Sequence, residues 1–138
     1  MTQWIGQSGL NHTAELVATE YQWIALGDGE PRTGHPTITG LSHEVVRKKA
    51  TITRNTNVIT WIAEFQVSDL PNGHYTEAAV FDSPTANTGT YITMCSQAAT
   101  SLPTDAPTHI QLMAAIGGRG AWCPHTVGCT TRSLWRWG

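Results

Sequence analysis

The sequence predicts a mainly β protein, an antiparallel β-sandwich with one short N-terminal helix and an extended C-terminal tail. Threonine, which favours strands, supplies 21 of the 138 residues, whereas only 13% of the residues are charged. Several short segments alternate apolar and polar residues with a period of two, the pattern of a half-buried strand. Turn residues separate these segments at hairpin spacing, and no strand–helix–strand rhythm indicates a parallel sheet.

The helix is predicted near the N-terminus. Asn11 is a suitable N-cap residue, and Glu15 follows early enough for its charge to suit the helix dipole. Four apolar residues at helical spacing would share one face of this helix: Leu10, Ala14, Val17 and Tyr21. A first strand over residues 21–26 should then end at the turn Gly27-Asp28-Gly29, before a loop over residues 30–40.

A long hairpin gives the clearest strand pattern. Residues 44–54 and 57–67 are predicted to pair around Asn55-Thr56. In the second run, alternate residues would face the core: Ile59, Trp61, Ala63, Phe65 and Val67. Lys48 interrupts the apolar face of the first run, which indicates an edge or a bulge there.

Three further strands are predicted over residues 74–81, 90–96 and 108–116. The turn at residues 71–73 and the loops at 82–89 and 100–107 would connect them. From Gly117 onward the alternation is lost. We therefore expect residues 1–116 to form the sandwich domain and residues 117–138 to form an appended arm.

Net charge, apolar runs and the N-terminal residues argue against several classes of protein. A net charge of −2 and a pI near 6.3 argue against a nucleic-acid partner. No apolar run is long enough to span a membrane, and the first residues lack the features of a secretory signal. The three cysteines are expected as reduced thiols in a protein made in the cytoplasm, with a Cys123–Cys129 disulfide as the alternative outside the cell.

No pattern of catalytic or cofactor-binding residues stands out, and we expect neither an enzyme nor a cofactor. Cys123, His125 and Cys129 offer three ligands for zinc, which prefers four. Cys95 or His109 would have to supply the fourth. Because the spacing is irregular, we predict no metal site.

Glu77 lies in an otherwise apolar strand segment. A buried carboxylate needs a partner, and Arg47 can bind a carboxylate through two parallel hydrogen bonds. We predict a buried Arg47–Glu77 ion pair with a structural role.

The tail combines tryptophan with arginine and has no acidic residue. Both residue types are enriched at binding hot spots, and exposed tryptophans promote aggregation unless they dock. We expect the tryptophan and arginine side chains of the tail to dock either on this domain or on the acidic body of a neighbouring subunit, and we favour the neighbouring subunit. The predicted interface residues are Arg119, Trp122, Arg132, Trp135, Arg136 and Trp137.

Four segments, in this order, resemble the N-terminal domains of bacteriophage tail-fibre and tail-collar proteins. Tyr21–Gly29 is similar to their strand that ends in alanine-leucine/valine-glycine-x-glycine. Thr39–Arg47 is similar to their threonine-x-leucine and glutamate-valine-x-arginine segment. Thr76–Asp82 resembles isoleucine-x-glutamate-x-glycine-leucine-phenylalanine-aspartate, with Ala79 in place of the usual glycine, and Gly89-Thr90 resembles the next strand start.

The resemblance covers about residues 9–116 and implies a structural virion protein, in a short stand-alone version, made in the bacterial cytoplasm. It would join other tail proteins in a fibre, a fibre adaptor or a baseplate, as a homo-oligomer for which we favour a trimer. One alternative is a capsid decoration protein. Another is a module that reads host glycans with exposed aromatic residues such as Trp4 or Trp122.

Overall fold

The computed structural model describes residues 2–32, 37–117, 121–127 and 135–136, the last two ranges by their backbone alone. The helix α1 spans Gln7–Glu20 and a short 3-10 helix spans Val67–Asp69. The strands are β1 (Trp23–Gly27), β2 (Glu44–Lys49), β3 (Thr51–Asn55), β4 (Val58–Phe65), β5 (His74–Phe81), β6 (Tyr91–Ser101), β7 (Thr108–Ala115), β8 (Ala121–Val127) and β9 (Trp135–Arg136). The predicted strand at residues 74–81 is confirmed to the residue.

The strands form two antiparallel sheets, which confirms the predicted fold class. One sheet has four strands in the order β2-β1-β5-β6, and the other has the order β3-β4-β7-β8-β9. Apolar side chains from facing sides of the two sheets form the main core, including Ile24, Leu26, Ala78 and Val80 from the first and Ile59, Trp61, Phe65, Ile110 and Leu112 from the second. Within the described residues, no helix is long and apolar enough to cross a membrane.

The helix is present, but it begins earlier than predicted. Its first residue is Gln7, Gly6 occupies the N-cap position, and no side chain caps the helix. Asn11 lies inside the helix, where its side chain accepts a hydrogen bond from Gln7 Nε2 at 2.8 Å. Ala14 is fully buried, and Val17 packs against the main core, as helical spacing predicted.

The predicted strand over residues 44–54 is instead two strands in different sheets. The chain leaves the four-stranded sheet after Lys49 and enters the second sheet at Thr51, so that only β3 and β4 form the hairpin. Lys48, whose charge interrupted the apolar pattern, pairs with Ile24 at this end of β2. Its ammonium group contacts Asp69 at 2.7 Å and lies 5.4 Å from the Phe65 ring centroid.

Part of the predicted C-terminal arm continues the second sheet. The backbone of β8 pairs with β7, and β9 pairs with β8, all within one chain. Arg119, Arg132 and Trp137 lie outside the described residues, and only the backbone is described for Trp122, Trp135 and Arg136. Docking of these side chains on a neighbouring subunit therefore stays a prediction.

A buried carboxylate beneath a surface loop as the candidate functional site

Residues 28–43 form a surface loop whose two ends meet. The backbone N–H of Asp28 donates a hydrogen bond to the carbonyl of His43 at 3.1 Å, which closes the neck of the loop. The loop lies on the outer face of the four-stranded sheet, where Leu41 packs against a small apolar cluster of Ala25, Ala79 and Phe81. We call this segment, of which residues 28–32 and 37–43 are described, the Ω-loop after its closed neck; loops closed in this way often carry function.

Glu77 of β5 holds the returning end of this loop. Its Oε1 accepts hydrogen bonds from the backbone N–H of Ser42 at 2.9 Å and from the Ser42 hydroxyl at 3.1 Å. Its Oε2 accepts one from the backbone N–H of His43 at 2.9 Å. Arg32 Nη2 lies 3.4 Å from Oε1, and the Glu77 side chain is fully buried. This confirms the prediction that Glu77 is buried. The donors named here replace the hydrogen bonds to water that the carboxylate loses on burial.

Gly27 makes the space that this carboxylate needs. It lies opposite Glu77 in the sheet, and a Cβ atom at Gly27 would lie 2.5 Å from both Glu77 Oε2 and the His43 carbonyl oxygen. Neither atom could move without breaking the neck of the loop. Residue 27 therefore has to be glycine, because the Glu77 carboxylate and the His43 carbonyl approach its backbone too closely to leave room for a Cβ atom. The same glycine is also part of the predicted turn.

Arg47 does not pair with Glu77, and that part of the prediction is wrong. Its guanidinium binds Glu44 through two hydrogen bonds of 2.9 and 2.7 Å, and both side chains are only 2% exposed. It also donates to the carbonyl oxygens of Ser83 at 2.8 Å and Thr88 at 3.0 Å. The guanidinium carbon lies 4.0 Å from the Phe81 ring centroid, a cation–π contact.

The sheet order explains the different partner. Strand β1 lies between β2 and β5, so Arg47 and Glu77 are on strands that are not neighbours. The pairing of β1 with β2 also shifts between Leu26 and Gly27, a bulge that places Glu44 opposite Gly27. Residues three apart on a regular strand face opposite ways, and the bulge lets Glu44 reach Arg47 on one face.

A second pair of side chains ties the two ends of the loop together. Asp28 Oδ1 is hydrogen bonded to His43 Nδ1, and Asp28 Oδ2 accepts a hydrogen bond from Asn72 at 2.7 Å. The hydrogen bond to His43 lowers the pKa of the Asp28 carboxyl below its usual value, and the same bond raises the pKa of His43. Sequence reasoning missed this pair, because fifteen positions of chain separate its members and only the fold brings them together.

The loop at residues 82–90 lies beside the Ω-loop on the outer face. It is closed by Asp82, whose Oδ1 accepts a hydrogen bond from the backbone N–H of Thr90 at 2.8 Å. The two loops border a crevice of about 150 Å³ with Glu44 and Phe81 among its walls. Arg47 donates to the carbonyl groups of Ser83 and Thr88 in the second loop and to the carboxylate of Glu44, so its side chain joins that loop to the start of β2.

The contacts described at this site hold two loops in place. The Ser42 hydroxyl donates to Glu77, and Asp28 holds His43 Nδ1. Among the residues that the structure describes, no three metal-binding side chains cluster. The tail residues Cys123, His125 and Cys129 are not tested by this, since no side chain there is described. The chain matches no protein-family model and no curated protein.

Proposed function

We propose that the protein is a structural component of a bacteriophage tail, in a fibre, a fibre adaptor or the baseplate, where it joins neighbouring subunits without covalent bonds. One observation carries the proposal. The four segments that resemble tail-fibre and tail-collar domains are distant in sequence, yet they meet in one unit of the four-stranded sheet. They become β1 with its turn, the end of the Ω-loop with β2, strand β5, and the start of β6.

The residues that carry the resemblance also contact one another across these segments. Glu77 of the third segment binds the backbone of Ser42 in the second, and Arg47 of the second lies over Phe81 of the third. Asp82 of the third segment accepts a hydrogen bond from Thr90 of the fourth. The four segments therefore form one architectural unit, as the resemblance implies, and the structural role itself is carried by the resemblance.

This architecture suits a subunit that presents fixed loops to its neighbours. Buried ionic contacts hold both loops on a rigid sheet, which lowers the ordering entropy that binding has to overcome. The Arg- and Trp-rich tail would add a second contact, and a homo-oligomer with a trimer as the favoured state would place the loops around an axis. The protein would sit in the virion after synthesis in the bacterial cytoplasm.

Antibody labelling of purified phage particles, viewed by electron microscopy, tests the location. We expect the label on the tail, with the chain detected in the particles by mass spectrometry. Label on the head would favour the capsid decoration protein, and a chain absent from particles would overturn the proposal. Specific binding on a glycan array by a chain absent from particles would favour the host-glycan module instead.

Native mass spectrometry of the full chain tests the role of the tail. We expect a trimer that dissociates to smaller species when Trp135 and Trp137 are both changed to Ala. Trp4→Ala is the matched control, because Trp4 is 79% exposed on the N-terminal segment and lies outside the predicted interface. A wild-type chain that stays monomeric, or a tail variant that keeps its subunit number, would contradict assembly through the tail.

A further inference from the structure

We propose that the Asp28–His43 pair is a pH-sensitive clasp, which holds the neck of the Ω-loop most firmly when His43 carries a positive charge and Asp28 a negative one. The two residues occupy the two ends of the loop, where the backbone of Asp28 also bonds the backbone of His43. Opening the loop therefore requires the side-chain pair to separate. The clasp would work in the isolated chain, whatever partner the loop meets.

The pair is built so that solvent can reach the imidazole but not the carboxylate. The His43 side chain is 71% exposed, whereas the Asp28 side chain is only 5% exposed. Protons can exchange with the free edge of the ring while Asp28 stays fixed by Asn72, which belongs to the turn before β5. The clasp thus ties three segments: the end of β1, the end of the loop and that turn.

The charged groups around the pair favour the protonated imidazole. Glu77 lies directly beneath, bound by the backbone N–H of His43, and its charge adds to the effect of Asp28. Arg32 faces Glu77 from within the loop, and Glu44 follows His43 at the start of β2 but is neutralised by Arg47. On the side of the turn, the His74 ring contacts the Asn72 carbonyl and is a further titratable group.

The direction of the pH effect follows from linkage. The pKa of His43 is raised by Asp28 in the closed loop, so the added stability is present below the ordinary pKa of histidine and is lost as the pH rises through the raised value. The pKa of Asp28 is lowered, so its contribution is present above its ordinary value and is lost as the pH falls through the lowered one. The loop should therefore be closed most firmly in mildly acidic solution.

Trypsin cleavage after Arg32 under native conditions measures loop opening. Arg32 is the one Lys or Arg between residues 28 and 43. Its side chain donates to the Gly40 carbonyl at 2.7 Å and its backbone N–H to Ser96 Oγ at 2.7 Å, so these contacts have to break before trypsin can bind the side chain. We compare the full-length wild type with Asp28→Asn at each pH, since the ratio of their cleavage rates cancels the pH dependence of trypsin. Between about pH 6 and pH 8.5, the wild-type rate should rise roughly 1.5- to fivefold relative to Asp28→Asn, the range of exposed ion pairs.

Matched variants assign the effect to this histidine. His43→Gln should abolish the pH dependence of the rate ratio, whereas His74→Gln and His12→Gln should keep it. NMR titration of the wild type should give His43 a pKa above the ordinary value of histidine, and Asp28→Asn should lower it. A rate ratio that is constant with pH, or a His43 pKa that is unchanged in Asp28→Asn, would overturn the clasp. If Asp28→Asn failed to fold, the same cleavage assay on His43→Gln would decide the question.

Discussion

The two faces of the four-stranded sheet are both buried, but they are buried by different means. The inner face presents Ile24, Leu26 and Val80 to the other sheet, and its stability comes from removing apolar surface from water. The outer face carries Glu77 and Arg47, which are covered by loops and held by directional hydrogen bonds. Because the side chains of one strand alternate between these faces, the same short segments build both.

Because the two faces are buried by different means, mutations on them should have different effects. An apolar contact tolerates small shifts, whereas a buried charge that loses its partner keeps the full cost of its desolvation. Damage to the inner face should lower the stability of the whole domain. Damage to the outer face should also release the loop.

The largest effect is expected from Glu77→Ala. The change removes the acceptor for the backbone N–H groups of Ser42 and His43 and leaves Arg32 without its carboxylate, so we expect a loss of about 3–5 kcal/mol in the free energy of unfolding. Urea denaturation measures the loss. Trypsin cleavage after Arg32 under native conditions should accelerate as well. Glu77→Gln should be destabilising too, because either orientation of its amide turns an NH2 group toward a backbone N–H.

Leu26→Ala tests the inner face of the neighbouring strand. Leu26 is fully buried in the main core, and its truncation should cost about 2–5 kcal/mol through lost apolar contact and a residual cavity. The loop contacts at Glu77 stay intact, so native cleavage after Arg32 should not accelerate in urea-free buffer. Equal acceleration in Leu26→Ala and Glu77→Ala would show that the two faces are not separable.

Gly27→Ala should be moderately destabilising, by about 1–3 kcal/mol, because its methyl group would overlap Glu77 Oε2 and the His43 carbonyl. Gly40→Ala, in the Ω-loop, is the matched control: a Cβ atom there meets nothing within 4 Å. We expect the control to unfold within about 0.5 kcal/mol of the wild type. Thermal unfolding of both variants compares them, and equal melting temperatures would mean that the neck is not closely packed.

The smallest effect is a pH dependence from the core. Burial raises the pKa of Tyr75 from 10.0 to about 12, so the folded protein keeps its phenol neutral. Its stabilising contribution is complete below pH 10 and is lost as the pH rises toward 12. Between about pH 9 and pH 11, the free energy of unfolding of the wild type should fall by about 1 kcal/mol more than that of Tyr75→Phe, because the phenol ionises in the unfolded chain and stays neutral in the folded one. Urea midpoints at the two pH values test this, and parallel losses would contradict it.

The local pattern of the sequence predicted much of the sheet. The turn before it and the polar loop after it located β5 to the residue, and period-two alternation identified the inward side chains of β4, including Trp61 and Phe65. It also predicted that Glu77 is buried, since a carboxylate within such an apolar segment has few other places to lie. The apolar face of α1 was predicted as well, although its first residue was not, because Gly6 caps the helix without a side-chain bond.

The sequence by itself determined most of the strand segments before residue 116 and the inward side chains of β4, because both depend on neighbours along the chain. Only the tertiary structure decided that the chain changes sheets at Ala50, that β1 separates Arg47 from Glu77, and that a bulge joins Arg47 to Glu44. It also decided that Asp28 meets His43. These contacts depend on strand order and register, which are set by how distant segments pack together and leave no local pattern to read.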